Sequence, residues 1–481
     1  MSEPTPFPDE TPVPIEIVTQ RALAEVFLVD HSFRLVGRGV GSLQAEVAPG
    51  VYKVKAHLGA TTVEELVLVN REMTGAEAID LSARVELASP APILGAASSH
   101  DFQGELAADE SLSVDVAAGE GAEIFLMTRR WSAADAGDGA TAELTGLSLH
   151  DTDGRVVADL RELKAPTADR DPAAGALLAV DPGPYFLRWS DSSGITAEQA
   201  IYAVADWQTQ VFLLEEELGA AGGRRHNVSV LLSRDRFDPA DPRLAVVEEA
   251  RVALAEERKV ATELFAKSLF DDFENPMLEL LGAHLMVVAD EALRSQDDEG
   301  LRPDSTAKPG APLQFDQVQF DRVVARLRQQ LGGHHPDVVA LATRSSHQWP
   351  PVRLTAPPLL WRSWQLLLRA SNTDTELVPP EVWRRTLGAL PARPFFIWAP
   401  AEDQAEIVSQ WEEQIAKSLA AAGPPPEPLQ LPAGAAFSLL NDGPEDPRVR
   451  LSRELMVPRS VIDDLFRPED PAGGSRRPEP A

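Results

Sequence analysis

The sequence predicts a multidomain chain that is β first and α second: two N-terminal β-sandwich modules followed by an all-helical C-terminal domain. The first observation behind this is a repeated corner. Val47-Ala48-Pro49-Gly50-Val51-Tyr52 recurs as Val180-Asp181-Pro182-Gly183-Pro184-Tyr185. Each copy leads into a strand-like run, a glycine (Gly59, Gly194) and a second apolar run, Leu66 to Val69 or Ala200 to Val204. The second observation is a change of period. Up to about residue 235 apolar residues come in short runs, often alternating, as in strands that bury one face. Beyond Asp241-Pro242 they recur at helical spacing. The third is punctuation: 40 prolines gather at the two ends and between segments, where they interrupt regular structure.

Residues 1–14 read as a disordered leader, acidic and broken by proline, without the basic and apolar regions of a secretory signal. The first module spans 15–90. Its strands are Ala24 to Val29, Phe33 to Val36, Leu43 to Val47 and, after the corner, Tyr52 to Ala56. Pro49 fixes its own φ and Gly50 permits a positive one, so the pair makes a sharp entry to the last of these. Gly37-Arg38-Gly39-Val40-Gly41 lies between β-runs rather than between a strand and a helix, and reads as a turn or bulge instead of a phosphate loop. The second module spans 100–235. It holds Leu112 to Val116, Glu123 to Met127, a hairpin around Asp151 to Gly154, then Tyr185 to Trp189, Val211 to Leu214 and Val228 to Leu232.

A helical domain follows over 240–421, with a polar loop at 295–312. Asp241 is a candidate N-cap with Pro242 in the first turn, and Leu244, Val247, Leu254, Leu264, Phe265 and Leu269 follow at helical spacing. Asn275-Pro276 restarts a helix whose apolar face is Met277, Leu280, Leu281, Leu285 and Val288. Val318 to Leu331 stops at Gly332-Gly333, and Pro336-Asp337 opens the next helix. Pro357-Pro358 and Pro379-Pro380 precede helices carrying Trp361, Trp364 and Trp383. Phe395 to Trp398 reads as an isolated strand or a buried run, and one more helix is expected near 402–421. A Pro-rich linker with short elements (422–466) and a disordered tail (467–481) complete the chain.

Pro49, Gly50, Tyr52, Val54, Gly59, Val67 and Val69 form a Pro-Gly-x-Tyr corner, an alternating strand, a glycine and a closing strand. Over about 15–70 this resembles the small β-sandwich modules of the PEGA and carboxypeptidase-regulatory-like (transthyretin-like) families. The resemblance implies an accessory or binding module and carries no catalytic residue. Asn275 to Leu285, His335-Pro336-Asp337-Val338 and Pro357 to Trp364 are similar to segments of uncharacterised bacterial proteins from defence-type or peptidase-associated gene neighbourhoods, over roughly 240–400.

The net charge of −31 repels phosphate backbones, and no basic stripe with interleaved aromatics offsets it, so no nucleic-acid partner is expected. No run approaches the roughly 20 apolar residues of a membrane helix, so no membrane association is expected and the cytoplasm is the default location. The absence of cysteine removes disulfides, thiolate metal sites and cysteine nucleophiles. Ser98-Ser99-His100-Asp101 has the residue types of a triad but reads as linker, since adjacency in sequence does not assemble one. His334, His335 and His347 with Asp337 are the best metal-ligand cluster; without a His-Glu-x-x-His pattern they read as helix-end polar groups. His284, among leucines, reads as a core histidine, and Asp151, Asp153 and Gly154 read as a hairpin turn rather than a calcium loop. No cofactor, metal site or catalytic residue is assigned.

Six of the nine tryptophans fall in the helical half, and tryptophan is enriched both at binding hot spots and in cores. Core packing is the first reading of the tryptophans; Trp361, Arg362, Trp364, Trp383, Arg384 and Arg385 are the candidate partner-binding residues if they line a recognition groove instead. The expected function is a non-enzymatic cytoplasmic scaffold or adaptor for protein partners. Two alternatives are a regulatory partner or proteolytic substrate in a bacterial peptidase or defence system, and a hydrolase with a carboxylate and histidine site.

Overall fold

The computed structural model describes residues 12–19, 21, 23–58, 61–70, 78–82, 89–94, 96, 101–131, 147–160, 173–190, 196–218, 223–257, 275–299, 316–390, 392–400, 409, 413, 417, 452 and 457–465. The expectations for the leader up to residue 11, most of the 295–312 loop and of the 402–421 helix, Leu264, Phe265, Leu269, Trp411, the bulk of the 422–466 linker and the tail from 467 lie outside these residues. The protein is rich in β-structure with a smaller share of helix.

Seven strands make the first sheet: β1 (Val13–Val18), β2 (Glu25–Val29), β3 (Leu35–Val40), β4 (Ser42–Val47), β5 (Gly50–Leu58), β6 (Thr61–Val69) and β7 (Ala78–Asp80). Their order is β6-β5-β2-β3-β4-β1-β7, antiparallel throughout except for β1 with β7. β3 and β4 pair only through Val40 and Ser42, across Gly41 with φ of 71°. A Cβ on Gly39 would sit 2.1 Å from the Ser42 carbonyl oxygen, so the glycine-rich run is a fold-over of the sheet. Alternate residues point into the core: Val26 and Leu28 on β2, Tyr52, Val54, Ala56 and Leu58 on β5, Val13, Ile15 and Ile17 on β1. The strand thus begins at Val13, inside the expected leader. Pro14 is tolerated because β7 pairs with β1 only from Glu16 onward, so no ladder bond is lost.

The second β-region holds α1 (Asp101–Glu110), β8 (Val114–Ala117), β9 (Ala122–Trp131), β10 (Ser148–His150), β11 (Val156–Asp159), β12 (Ala173–Val180), β13 (Gly183–Ser190), β14 (Thr196–Ala203), β15 (Gln208–Leu218) and β16 (Gly223–Ser233). Helix α1 replaces the linker expected at Asp101. Its Gly104 weakens the helical signal in the sequence, and a Cβ there would meet Pro239 Cβ at 2.9 Å. A five-stranded sheet runs β16-β15-β9-β12-β8. A six-stranded sheet runs β11-β10-β13-β14 and continues with two strands from far along the chain, β18 (Ile397–Trp398) and β17 (Ala389–Leu390).

Both copies of the repeated corner move the chain from one packing surface to another. In the first copy β4 and β5 are consecutive in sequence yet three places apart in the sheet. In the second, β12 lies in the five-stranded sheet and β13 in the six-stranded one. The Tyr52 hydroxyl donates to Ala48 O at 2.8 Å and the Tyr185 hydroxyl to Asp181 O at 2.9 Å, so each tyrosine ties its strand to the residue before the Pro-Gly pair.

The remaining elements are α2 (Pro242–Ala255), α3 (Pro276–Glu299), α4 (Gln317–Gln330), α5 (Pro336–Ala342), α6 (Trp361–Ala370), α7 (Pro380–Arg385) and α8 (Arg459–Leu465). Asp241 caps α2 by accepting from Arg243 N at 2.9 Å, and Asn275 Oδ1 accepts from Met277 N at 3.0 Å ahead of α3. Helix α3 runs five residues into the expected 295–312 loop, because no helix breaker occurs before Gly300. The C-terminal region is not all-helical. The run read as an isolated strand or a buried run, Phe395 to Trp398, is buried and supplies β18, whose pairing Glu198↔Trp398 and Gln199↔Ile397 covers the open side of β14.

Candidate functional site

Trp361, Trp364 and Trp383 are packed into the fold. Trp364 and Trp383 are buried, and Trp361 is half-buried. Phe396 is stacked against Trp364 at 5.2 Å between centroids and touches Trp361 and Trp398, so one aromatic cluster joins α6 to β18. Arg362 pairs with Glu291 on α3 and donates to Gln365 at 3.0 Å. Arg384 is exposed. Arg385 lies over the Phe186 ring at 3.4 Å and donates to Glu198 at 2.6 Å. The six candidate partner-binding residues thus do not form one exposed surface.

Glu198 is fully buried on β14 and accepts from Arg188 at 2.6 Å, from Arg385, and from Trp398 Nε1 at 2.8 Å. Burial alone would raise its pKa, but the two guanidiniums outweigh burial and hold the carboxyl below its ordinary range. Nothing local in the sequence marks this residue, since its partners lie 10, 187 and 200 positions away.

A second buried polar group gathers where α3, α5 and α6 meet. Asp337 on α5 accepts from Leu359 N at 2.8 Å and Leu360 N at 2.9 Å, capping the approach to α6 from another helix. The Ser363 hydroxyl is near enough to help hold the Asp337 pKa down, and its Oγ lies 2.8 Å from His284 Nε2. His335 stands beside Asp337, with Nδ1 3.7 Å from Oδ2, and packs on Tyr202 at 4.3 Å. Burial pushes both His284 and His335 down to about 3, and pushes Asp337 up to about 6. With His284 neutral, the contact to Ser363 Oγ is a single hydrogen bond whose donor is set by the imidazole tautomer. The serine therefore sits between histidine and carboxylate, whereas in a Ser-His-Asp triad the histidine is in the middle. All four side chains are closed to solvent.

The sequence grouped His334, His335 and His347 with Asp337. The structure keeps His335 beside Asp337 but places His347 on the surface, 3.5 Å from Asp321 and stacked on Trp349. Among the described residues no group of three or more His, Asp or Glu side chains is arranged to hold a metal ion. The Asp151 to Gly154 segment is a turn: Asp151 Oδ1 accepts from Asp153 N and Arg155 N, and Gly154 has φ of 81°.

The most unusual surface lies elsewhere, on the outer face of the first sheet. Register places Leu66, Lys53, Val29 and Leu35 in one row across β6, β5, β2 and β3, with Leu68 and Val51 in the row beside it. Leu66 is 74% exposed, Leu68 63%, Leu35 60% and Val51 48%. In the turn between β2 and β3, Phe33 is 85% exposed. It sits in a turn with φ of 59°, held there by Asp30 Oδ1 accepting from Ser32 N at 2.8 Å and Arg34 N at 2.9 Å. Among the described residues β6 is an edge strand, with β5 as its one neighbour in the sheet. Sequence reasoning missed this surface because alternation marks β6 as a strand without telling which of its faces is covered. The chain matches no protein-family model and no curated protein.

Proposed function

We propose that the chain is a non-enzymatic cytoplasmic adaptor that takes an extended segment of a protein partner against β6. The observation that carries this is the exposed apolar end of the first sheet, Phe33, Leu35, Val51, Leu66 and Leu68, beside an open strand edge. Exposed apolar clusters next to a free edge are liabilities that soluble proteins blunt unless the surface is used. Phe33 adds weight: an aromatic residue at positive φ costs free energy, and here the turn holds it in solvent. Strand addition fits both features, with backbone bonds to the β6 edge and apolar side chains of the segment meeting Leu66 and Leu68.

The architecture proposed as the frame is a pair of β-sandwich modules ahead of the helices. The two Tyr-to-carbonyl bonds support reading the corners as equivalent, in keeping with a PEGA-like or transthyretin-like accessory module at about 15–70. The net charge of −31 weighs against nucleic acid as the partner, and no helix among the described residues is long and apolar enough to cross a membrane.

The test is affinity purification of the full chain beside a double variant, Leu66→Lys with Leu68→Lys, on a background of unchanged melting temperature. Both side chains point outward, so the fold is expected to survive. A stoichiometric partner held by the parent and lost by the variant is the expected result. A partner retained by the variant, or none held by the parent, overturns the proposal.

A further inference from the structure

A cleft of about 460 Å³ opens between the end of α4, α5, the segment through Trp349 to Val352 and the end of α6. That size is in the range of small-molecule sites, roughly 300–1,000 Å³. Val339, Leu366 and Leu377 give it apolar walls. Its charged groups run against the character of the chain: in a protein of net charge −31, three arginines and one carboxylate, Asp374, line the cleft.

Two of those arginines are already engaged. Arg344 donates to Asp290 at 2.6 Å and Arg369 to Glu291 at 2.7 Å. Arg328 has no carboxylate partner among the described residues. Its guanidinium lies over the Trp349 ring at 4.4 Å and makes a long contact, 3.4 Å, to Gly333 O. The guanidinium tip also lies against Gly333, where a Cβ would come within 2.5 Å of Arg328 Nη2. The Trp349 Nε1–H, on the lining residue that carries this arginine, is buried and has no acceptor. That N–H is closed to a ligand, so the ring's part is to hold the guanidinium, which is left to meet an anion.

We infer that this cleft binds a carboxylate carried on an apolar body, with Arg328 receiving the carboxylate and the apolar walls taking the rest. A planar fork of donors suits a planar carboxylate, and an aromatic face beneath a guanidinium fixes its plane. A free apolar acid and the C-terminus of a short apolar peptide share this chemistry. The site is separate from the outer face of the first sheet, and its test does not depend on a partner there.

The experiment follows the indole N–H signals of the nitrogen-15-labelled full chain, with Trp349 assigned by Trp349→Phe. Hexanoate stands for the free acid and N-acetyl-Ala-Leu for the chain terminus, while hexanamide and inorganic phosphate are controls. The expected result is a saturable shift of the Trp349 signal with one or both carboxylates and none with either control. The binding weakens at least about tenfold in Arg328→Met, as loss of a charge-assisted pair requires. The other indole signals report whether that variant is folded. Arg328→Lys, which keeps the charge and loses the fork, is expected to weaken binding too and serves if the methionine variant does not fold. The inference is overturned if neither carboxylate moves the Trp349 signal, if hexanamide or phosphate moves it equally, or if a folded Arg328 variant binds like the parent.

Discussion

Glu198 shows how much of this molecule is decided by single buried charges. It holds Arg188 and Arg385 together, and both guanidinium side chains are about four-fifths covered, at 18% and 20% exposure. Removing the carboxylate leaves two like charges facing each other away from water. Glu198→Gln is therefore expected to destabilise the chain by about 3 kcal/mol in urea unfolding, and an unchanged midpoint would contradict this. The buried histidines set a pH dependence. His284 and His335 fall from 6.5 to about 3 on folding, so the unfolded chain takes up protons first and their contribution is present above 6.5 and lost as pH falls. Asp337 runs the other way: raised from 3.8 to about 6, it favours the folded state on acidification through that window. Two histidines outweigh one aspartate, and Glu198, with its lowered pKa, loses its contribution in acid as well. The unfolding midpoint should drop between about pH 7.5 and 5, and His335→Phe, which keeps a ring against Tyr202, should reduce that drop. A flat profile in the parent chain would refute the assignment.

At the level of elements, the corners divide what the sequence tells from what it hides. Proline, glycine and tyrosine at fixed spacing identify a turn with a strand behind it, and the structure adds the bond that explains the tyrosine. Tyr52→Phe removes that bond at a buried ring and should cost about 1 kcal/mol; Tyr185→Phe, with a more exposed hydroxyl, should cost less. Equal losses in urea unfolding would show that the exposure of the hydroxyl does not govern what the bond contributes. Helices with a clear apolar stripe, such as α4, and with cap residues, such as α2 behind Asp241, were also legible. Helix α1 was not, because Gly104 meets a packing need that local propensity opposes. The two-residue strands β17 and β18 are too short to alternate, and only their pairing defines them.

At the scale of the molecule, the change of period near residue 238 is real, but it is not a seam. β18 pairs with β14, Arg385 reaches Glu198, and the Tyr202 hydroxyl donates to Pro357 O at 2.7 Å. On the other side α2 is tied to the β-region through Glu248, which accepts from Ser89 and Ser229. Such long-range pairing leaves no trace in local composition, which is why a boundary in pattern looked like a boundary between independent units. The same reason explains the candidate partner-binding residues: tryptophan and arginine were visible as types, while the sheet that covers several of them was not. Chains of residues 1–236 and 237–467 are each expected to lack cooperative unfolding alone and to regain it when mixed. Two sharp, independent transitions would show that the seam exists after all.

The closure of β14 by β18 also sets an order of events at the ribosome. Glu198 and Trp398 are 200 residues apart, so at roughly 5–20 residues per second the first waits about 10–40 s for the second. Throughout that interval the nascent chain carries an uncovered strand and a carboxylate lacking two of its three donors. Arg188 is the one partner made early enough to shield it.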